Sequence, residues 1–333
     1  MSAVMERRAL GAGAVRAIGL GCMNLSHAYG VPPTTHAARA LLEAALDLGI
    51  DHFDTAALYG FGRNEELVGE VLSPHRVRFA LASKCGMTGV DGKRVIDGRP
   101  ETLKRTCEEA LRRLRTDHID LYYLHRWDRT VPIEDSIGAL ADLTRAGLIR
   151  AIGLSEVSTA TLRRAHSVHP IAAVQSEYSL WTRNPELGVL DACRELGVAF
   201  VVFSPLGRGF LAGAVRDPRT LVEKDLRLGM PRFQPPHFAH NWNLYERFSA
   251  LAAQADCTPA QLALAWLLSR GPHVIPIVGT TSLSHLRENI GAAALSLPEE
   301  IISLADACVN QVSVSGPRYA AQTQIEIDTE EFE

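Results

Sequence analysis

No stretch of this chain is apolar for long enough to cross a bilayer, and Met1–Leu10 lacks the apolar core of a secretion signal. The six cysteines (Cys22, Cys85, Cys107, Cys193, Cys257 and Cys308) are scattered, with no CxxC pair and no Cys/His cluster. That spacing argues against a disulfide framework and a zinc site, and for reduced thiols in a cytoplasmic setting. Charge of one sign is also missing: the net value of −4 at pH 7 gives no reason to expect nucleic acid or a membrane surface as a partner. A dinucleotide-binding glycine fingerprint is absent too. Gly11-Ala-Gly13 and Gly19-Leu-Gly21 each lack the third glycine.

What is present is a regular alternation over 333 residues, 47% of them hydrophobic and 22% charged. Residues 7–18 are expected to form a hairpin turning at Gly11–Gly13. Eight short apolar strands follow, at Ile18–Gly21, Ile50–Phe53, Val77–Ser83, Ile119–Leu124, Leu148–Gly153, Ala172–Gln175, Val198–Ser204 and Val274–Val278. Helical spacing follows each one; after the first strand, Ala38, Leu41, Leu42, Ala45 and Leu48 share a face that ends at Gly49. Continuous apolar strands between amphipathic helices imply a parallel sheet covered by helices, and eight such units imply a single-domain (β/α)8 TIM barrel spanning about residues 18–292. Extra C-terminal helices and a tail occupy 298–333. The acidic run Asp328–Glu333 is expected to be a disordered, solvated end.

In such a barrel the C-terminal strand ends converge on one mouth. Asp54 and Tyr59 follow the second strand, Lys84 the third and His125 the fourth. Singly, each has an ordinary structural reading: a loop cap, a packed ring, a surface lysine, a satisfied histidine. At consecutive strand ends they suggest proton delivery to a carbonyl oxygen. A phenol with a pKa near 10 is a poor acid at neutral pH unless a cation stabilises its phenolate. Lys84 supplies that cation, Asp54 holds Lys84, and His125 helps to place the substrate oxygen. None of the four can reduce anything, so a hydride carrier must be borrowed.

The motifs Asp54-Thr-Ala-x-x-Tyr59-Gly60, Ser83-Lys84, Leu124-His125-Arg126, Gly153-Leu-Ser155, Gln175-Ser-Glu-Tyr178 and Ser204-Pro-Leu-Gly-Arg-Gly209 resemble the aldo-keto reductase superfamily from about Arg7 to Tyr319. Glu177–Arg183 and Pro276–Thr281 look like the microbial and plant branch that includes pyridoxal- and perakine-type reductases. The resemblance implies that Asp54, Tyr59, Lys84 and His125 are a catalytic tetrad with Tyr59 as general acid, acting on small-molecule aldehydes or ketones. It implies that Ser155 and Gln175 hold the nicotinamide carboxamide, and that Phe203 replaces a stacking tyrosine. Gly21, Cys22 and Met23 would line the cofactor cleft beside Asp54. Ser204, Pro205, Leu206 and Arg208 would cover the pyrophosphate, while Gly279, Thr280, Thr281, Ser282, His285, Glu288 and Asn289 would hold the adenosine end, where a helix start offers free N–H groups.

The cofactor implied is NADPH, with NADH possible. The adenosine segment carries hydroxyls, His285 and Arg287 where NADPH-preferring relatives usually present Lys or Arg. Tyr29, Trp127 and Trp181 are expected to wall an apolar substrate pocket beside Tyr59 and His125. A cofactor-binding, slow-turnover regulatory subunit like the potassium-channel β subunits is the alternative. A metal-dependent barrel hydrolase is a poorer fit, because Lys84 beside Asp54 repels a cation.

Overall fold

The structure is a computed structural model that describes residues 5–90 and 93–332. Met1–Val4 of the N-terminal stretch and Glu333 of the acidic run lie outside the described residues. The chain opens with the expected hairpin, β1 (Arg7–Leu10) and β2 (Gly13–Arg16), paired from Arg7↔Arg16 to Leu10↔Gly13. Gly11 takes a φ of +58° at the turn, a conformation that costs glycine nothing. Leu10 and Val15 then plug the bottom of the barrel, against Ala82, Leu121, Ala173, Ala199 and Ile275.

Eight parallel strands close into the barrel. They are β3 (Gly19–Gly21), β4 (His52–Asp54), β5 (Ala80–Cys85), β8 (Leu121–Leu124), β9 (Ile152–Ser155), β10 (Ile171–Glu177), β11 (Ala199–Phe203) and β12 (Val274–Val278). Two further strands, β6 (Met87–Val90) and β7 (Lys93–Ile96), form a second antiparallel hairpin above β5 that the sequence reading missed. Its Asp91-Gly92 pair is a two-residue turn signature of the kind that marks hairpins.

Helices α1 (Thr35–Asp47), α2 (Arg63–Leu72), α3 (Pro100–Leu114), α4 (Ile133–Arg145), α5 (Thr159–Val168), α6 (Val189–Leu196), α7 (His237–Gln254), α8 (Pro259–Ser269), α9 (Leu283–Gly291), α10 (Glu299–Cys308) and α11 (Ala321–Gln324) surround it. On α1, Ala38, Leu41, Leu42 and Ala45 are buried as their spacing predicts, and Thr34 caps the helix by accepting from Ala37 N. The larger apolar core lies between this helical ring and the strands. None of the helices among the described residues is long and apolar enough to cross a membrane.

The largest departures are at boundaries and at the C-terminus. The fifth strand begins later than its apolar run: Ile149 makes only an isolated bridge to Ile119, and the ladder proper starts at Ile152. Lys84 lies inside β5, one residue before its end.

The acidic tail is docked, not disordered. Asp328 accepts from Ser158 N and Oγ, both at 2.9 Å, and Glu330 accepts from Thr159 N at 2.7 Å, so both carboxylates serve the start of α5. Their charge complements the positive end of that helix, a partner that composition alone does not reveal.

Candidate active site

The site is assembled by register. Gly21 on β3 pairs with Asp54 on β4, Asp54 with Ala82 on β5, and Lys84 on β5 with Tyr123 on β8. Asp54 and Lys84 consequently reach the same level of the barrel, each about 1% exposed. The Lys84 ammonium has three hydrogens and three partners: it forms an ion pair with Asp54 Oδ1, donates to Thr55 O at 2.8 Å and donates to the Tyr59 hydroxyl at 3.3 Å. Gln175 Nε2 donates to the other Asp54 oxygen, Oδ2, at 2.7 Å. A carboxylate this deep would be costly without both bonds.

Tyr59 is held by the turn that follows it. Gly60, Phe61 and Gly62 have φ values of 57°, 55° and 92°, so the backbone doubles back tightly before α2 and leaves the phenol at the mouth. Asn64, buried at the start of α2, ties the surrounding loops together. It accepts from Thr55 at 2.6 Å and donates to Cys22 O at 2.8 Å and Ser26 Oγ at 3.0 Å.

The Tyr59 ring lies between two imidazoles, with centroid separations of 6.0 Å to His125 and 5.5 Å to His27. His125 Nδ1 is buried without a partner. Burial, reinforced by Arg126, Lys84 and Arg94, pushes the His125 pKa well below its usual value, so the ring is neutral and can donate from one nitrogen. Burial raises the Tyr59 phenol above its ordinary pKa, and the Lys84 ammonium offsets that only in part. Burial also works against the Lys84 charge, but Asp54 and Tyr59 together outweigh it and leave the ammonium more basic than usual. The cluster thus stores a proton on Tyr59 beside a fixed cation.

The residues expected to hold a cofactor lie on the neighbouring strand ends. Ser155 at the end of β9 and Gln175 on β10 are both buried and pair in register. Phe203 closes β11, and the loop after it has left-handed backbone at Ser204, Gly207, Arg208 and Gly209, with φ from 50° to 85°. Such a run forms a concavity suited to an anion. Across the barrel, Gly21 and Gly279 lie side by side. A Cβ on Gly279 would come within 3.0 Å of Asn24 Oδ1, a buried oxygen with no partner. Thr280 is buried and its Oγ1 accepts from Ser282 N; Ser282 in turn caps α9 by accepting from His285 N. Asn289 is buried on that helix, Glu288 is half-buried, and Thr281 and His285 are exposed.

Residues 17–310, most of the chain, match the model of the aldo/keto reductase family. The protein is an aldo-keto reductase. It is 44% identical over 309 residues to the probable aldo-keto reductase 1 of Glycine max, covering 92% of this chain and 88% of the relative. Among solved structures it is similar to the glycerol dehydrogenase AKR11B4 of Gluconobacter oxydans, with a TM-score of 0.84 and 28% identity, covering 95% of this chain and 99% of that one. The aldo-keto reductase AKR11C1 of Bacillus halodurans gives a TM-score of 0.76 at 28% identity, covering 94% and 98%. The family is one of oxidoreductases that act on small carbonyl compounds with a nicotinamide cofactor.

Three side chains expected at the substrate pocket of this aldo-keto reductase have contacts of their own. Trp181 is 3% exposed and packs on Phe210, at a centroid distance of 3.7 Å, and against Gly207 of the β11 loop. Trp127 donates to Val131 O at 3.0 Å and is covered by Arg164 from α5, so its indole secures its own loop. Tyr29 accepts from Arg208 at 3.3 Å and lies under Arg227.

Arg208 donates to Glu177 and to the Tyr319 hydroxyl, each at 2.6 Å. It therefore belongs to a buried ionic cluster with Glu156 and Arg318. Burial works against the Glu177 carboxylate, but Arg208 and Arg318 outweigh it and lower its pKa to about 2. Cys22 and Cys85 are fully buried, and burial pushes both thiols up, which makes them inert as nucleophiles. His27, Asn64 and the Glu156–Arg318 pair were not anticipated. His27, Glu156 and Arg318 lie on loops or on the tail, where no periodicity marks the side chains that meet, and Asn64 lies in the first turn of α2, where its partners belong to other loops.

Proposed function

We propose that this enzyme reduces aldehydes and ketones to alcohols, with Tyr59 as the proton donor and NADPH as the preferred cofactor. The observation that carries the reading is the contact of Lys84 with both Asp54 and the Tyr59 hydroxyl at the barrel mouth. The residues along the cleft fit the cofactor the family uses. Ser155 and Gln175 would hold the carboxamide, Phe203 would face the ring, Ser204, Pro205 and Leu206 would cover the pyrophosphate, and Gly279 to Asn289 would receive the adenosine end. The bound nicotinamide supplies the hydride that these side chains lack.

The protein's own part is to orient the carbonyl and manage one proton. A neutral His125 donates a hydrogen bond to the carbonyl oxygen and fixes it beside the Tyr59 hydroxyl. As negative charge develops on that oxygen, Tyr59 releases its proton, and the adjacent Lys84 ammonium stabilises the phenolate left behind. Asp54 and Gln175 keep the ammonium in place throughout.

Tyr59→Phe tests the assignment, since it keeps the ring and removes the proton. It is expected to lower kcat by about a hundredfold to ten-thousandfold. NADPH binding, followed by protein fluorescence, should stay the same. Retention of most of the turnover would remove Tyr59 from its role.

A further inference from the structure

Arg126 is a cation at the mouth that forms no ion pair among the described residues. It follows His125 directly and is half-buried. Its two hydrogen bonds both come from Nη1, to His125 O at 2.7 Å and to Ser155 Oγ at 3.2 Å. Among the described residues, no carboxylate lies within ion-pair distance of it, and neither Nε nor Nη2 has a partner. This is unusual company for an arginine here, because most of its neighbours at the mouth are matched: Lys84 with Asp54, Arg94 with Glu326, Arg208 with Glu177 and Arg318 with Glu156.

The nearby carboxylate of Glu156 is already saturated. Its oxygens are shared by both Arg318 terminal nitrogens, the Thr329 hydroxyl and Glu177 N. It has little to offer Arg126. The unused edge of Arg126, Nε and Nη2, is the fork whose two parallel N–H groups match a carboxylate. The Nη1 bonds to His125 O and Ser155 Oγ fix the guanidinium at the ends of β8 and β9, on the same rim as His125, whose ring centroid lies 6.0 Å from that of Tyr59.

We propose that Arg126 receives a carboxylate carried by the substrate, so that the preferred substrates are carbonyl compounds that are also carboxylic acids. This rests on the reading of Tyr59 as the proton donor. The carbonyl carbon gains the hydride and its oxygen gains the Tyr59 proton, while the carboxylate leaves as it came. Its role is to anchor one end of the molecule so that the other end meets His125. The nicotinamide is oxidised as the carbonyl is reduced, and no other reactant is needed.

The test is a pair of matched comparisons with NADPH: succinate semialdehyde against butanal, and carboxybenzaldehyde against its methyl ester. In the wild type, kcat/KM should favour the acid of each pair by about tenfold to a hundredfold, chiefly through KM. In Arg126→Gln that ratio should fall to near one. Arg126→Lys, which keeps the charge and loses the fork, should lie between.

A wild-type ratio near one overturns the assignment. So does an Arg126→Gln variant that loses acid and neutral substrates equally, above all with weakened NADPH binding, because Arg126 would then act only through Ser155. In either case turnover of the neutral aldehydes shows that the Tyr59 reading stands. Failure to oxidise NADPH with any of the four compounds would take both readings down.

Discussion

His52 shows how a single side chain in this barrel can set a pH dependence. It is completely buried on β4, and neither ring nitrogen has a partner. Burial lowers its pKa, as it does for His27 and, more strongly, for His125. Each folded-state pKa lies below the unfolded value of about 6.5. The unfolded chain then takes up protons first as the solution is acidified, so the stability these rings allow is complete above that value and lost as pH falls below it. The carboxylates of Glu156 and Glu177, also lowered, act in a separate and more acidic window. The urea midpoint should consequently decline between pH 7 and pH 5, and His52→Leu should flatten that decline. An unchanged slope in the variant would show that His52 is not among the groups taking up protons there.

At the scale of elements, the C-terminal tail is the part whose role was hidden. Its charges read as a solvated end, yet they lace the loops of one side of the mouth together. Glu326 meets Arg94 of the second hairpin, Ile327 O accepts from Arg129 after β8, Asp328 and Glu330 serve α5, and Glu330 O accepts from Asn184 after β10. Arg318 anchors the segment on Glu156, both side chains being 2% exposed or less. Removing one partner of such a pair leaves a buried charge alone. Arg318→Met should therefore cost about 3–5 kcal/mol in chemical denaturation. It should also loosen Glu177 and Arg208, which share the cluster. A loss below about 1 kcal/mol, the level of an exposed pair, would mean that the tail contributes little to the fold. The alternation of β and α was legible because it is written in every strand and helix. The tail was not, because its partners lie elsewhere in the chain; the second hairpin was missed because its β7 strand, Lys-Arg-Val-Ile, is mostly exposed and shows no apolar alternation.

Over the whole molecule, the Asp54–Lys84–Tyr59 cluster lies after β4 and β5, while α9 follows β12, which is separated from β4 only by β3. Sequence reasoning assigned a catalytic and an adenosine end from strand ends and family motifs, but it could not say which cations are already taken. Arg208 is committed to Glu177 and Tyr319, and Arg227 to Asp225. In the segment proposed to receive the adenosine end, Thr280 and Ser282 spend hydrogen bonds on shaping the start of α9, His285 is exposed, and Arg287 is the cation of the segment. A 2′-phosphate there would meet hydroxyls, backbone N–H groups and one flexible arginine in water. Charge-assisted bonds from exposed side chains are screened and bring little discrimination. NADPH should thus be preferred over NADH only modestly, with kcat/KM values for the two cofactors of comparable size. Replacing Arg287 with Ala should bring them closer still. A preference beyond about a thousandfold, equivalent to about 4 kcal/mol, would require a phosphate-binding cation that this arrangement does not supply.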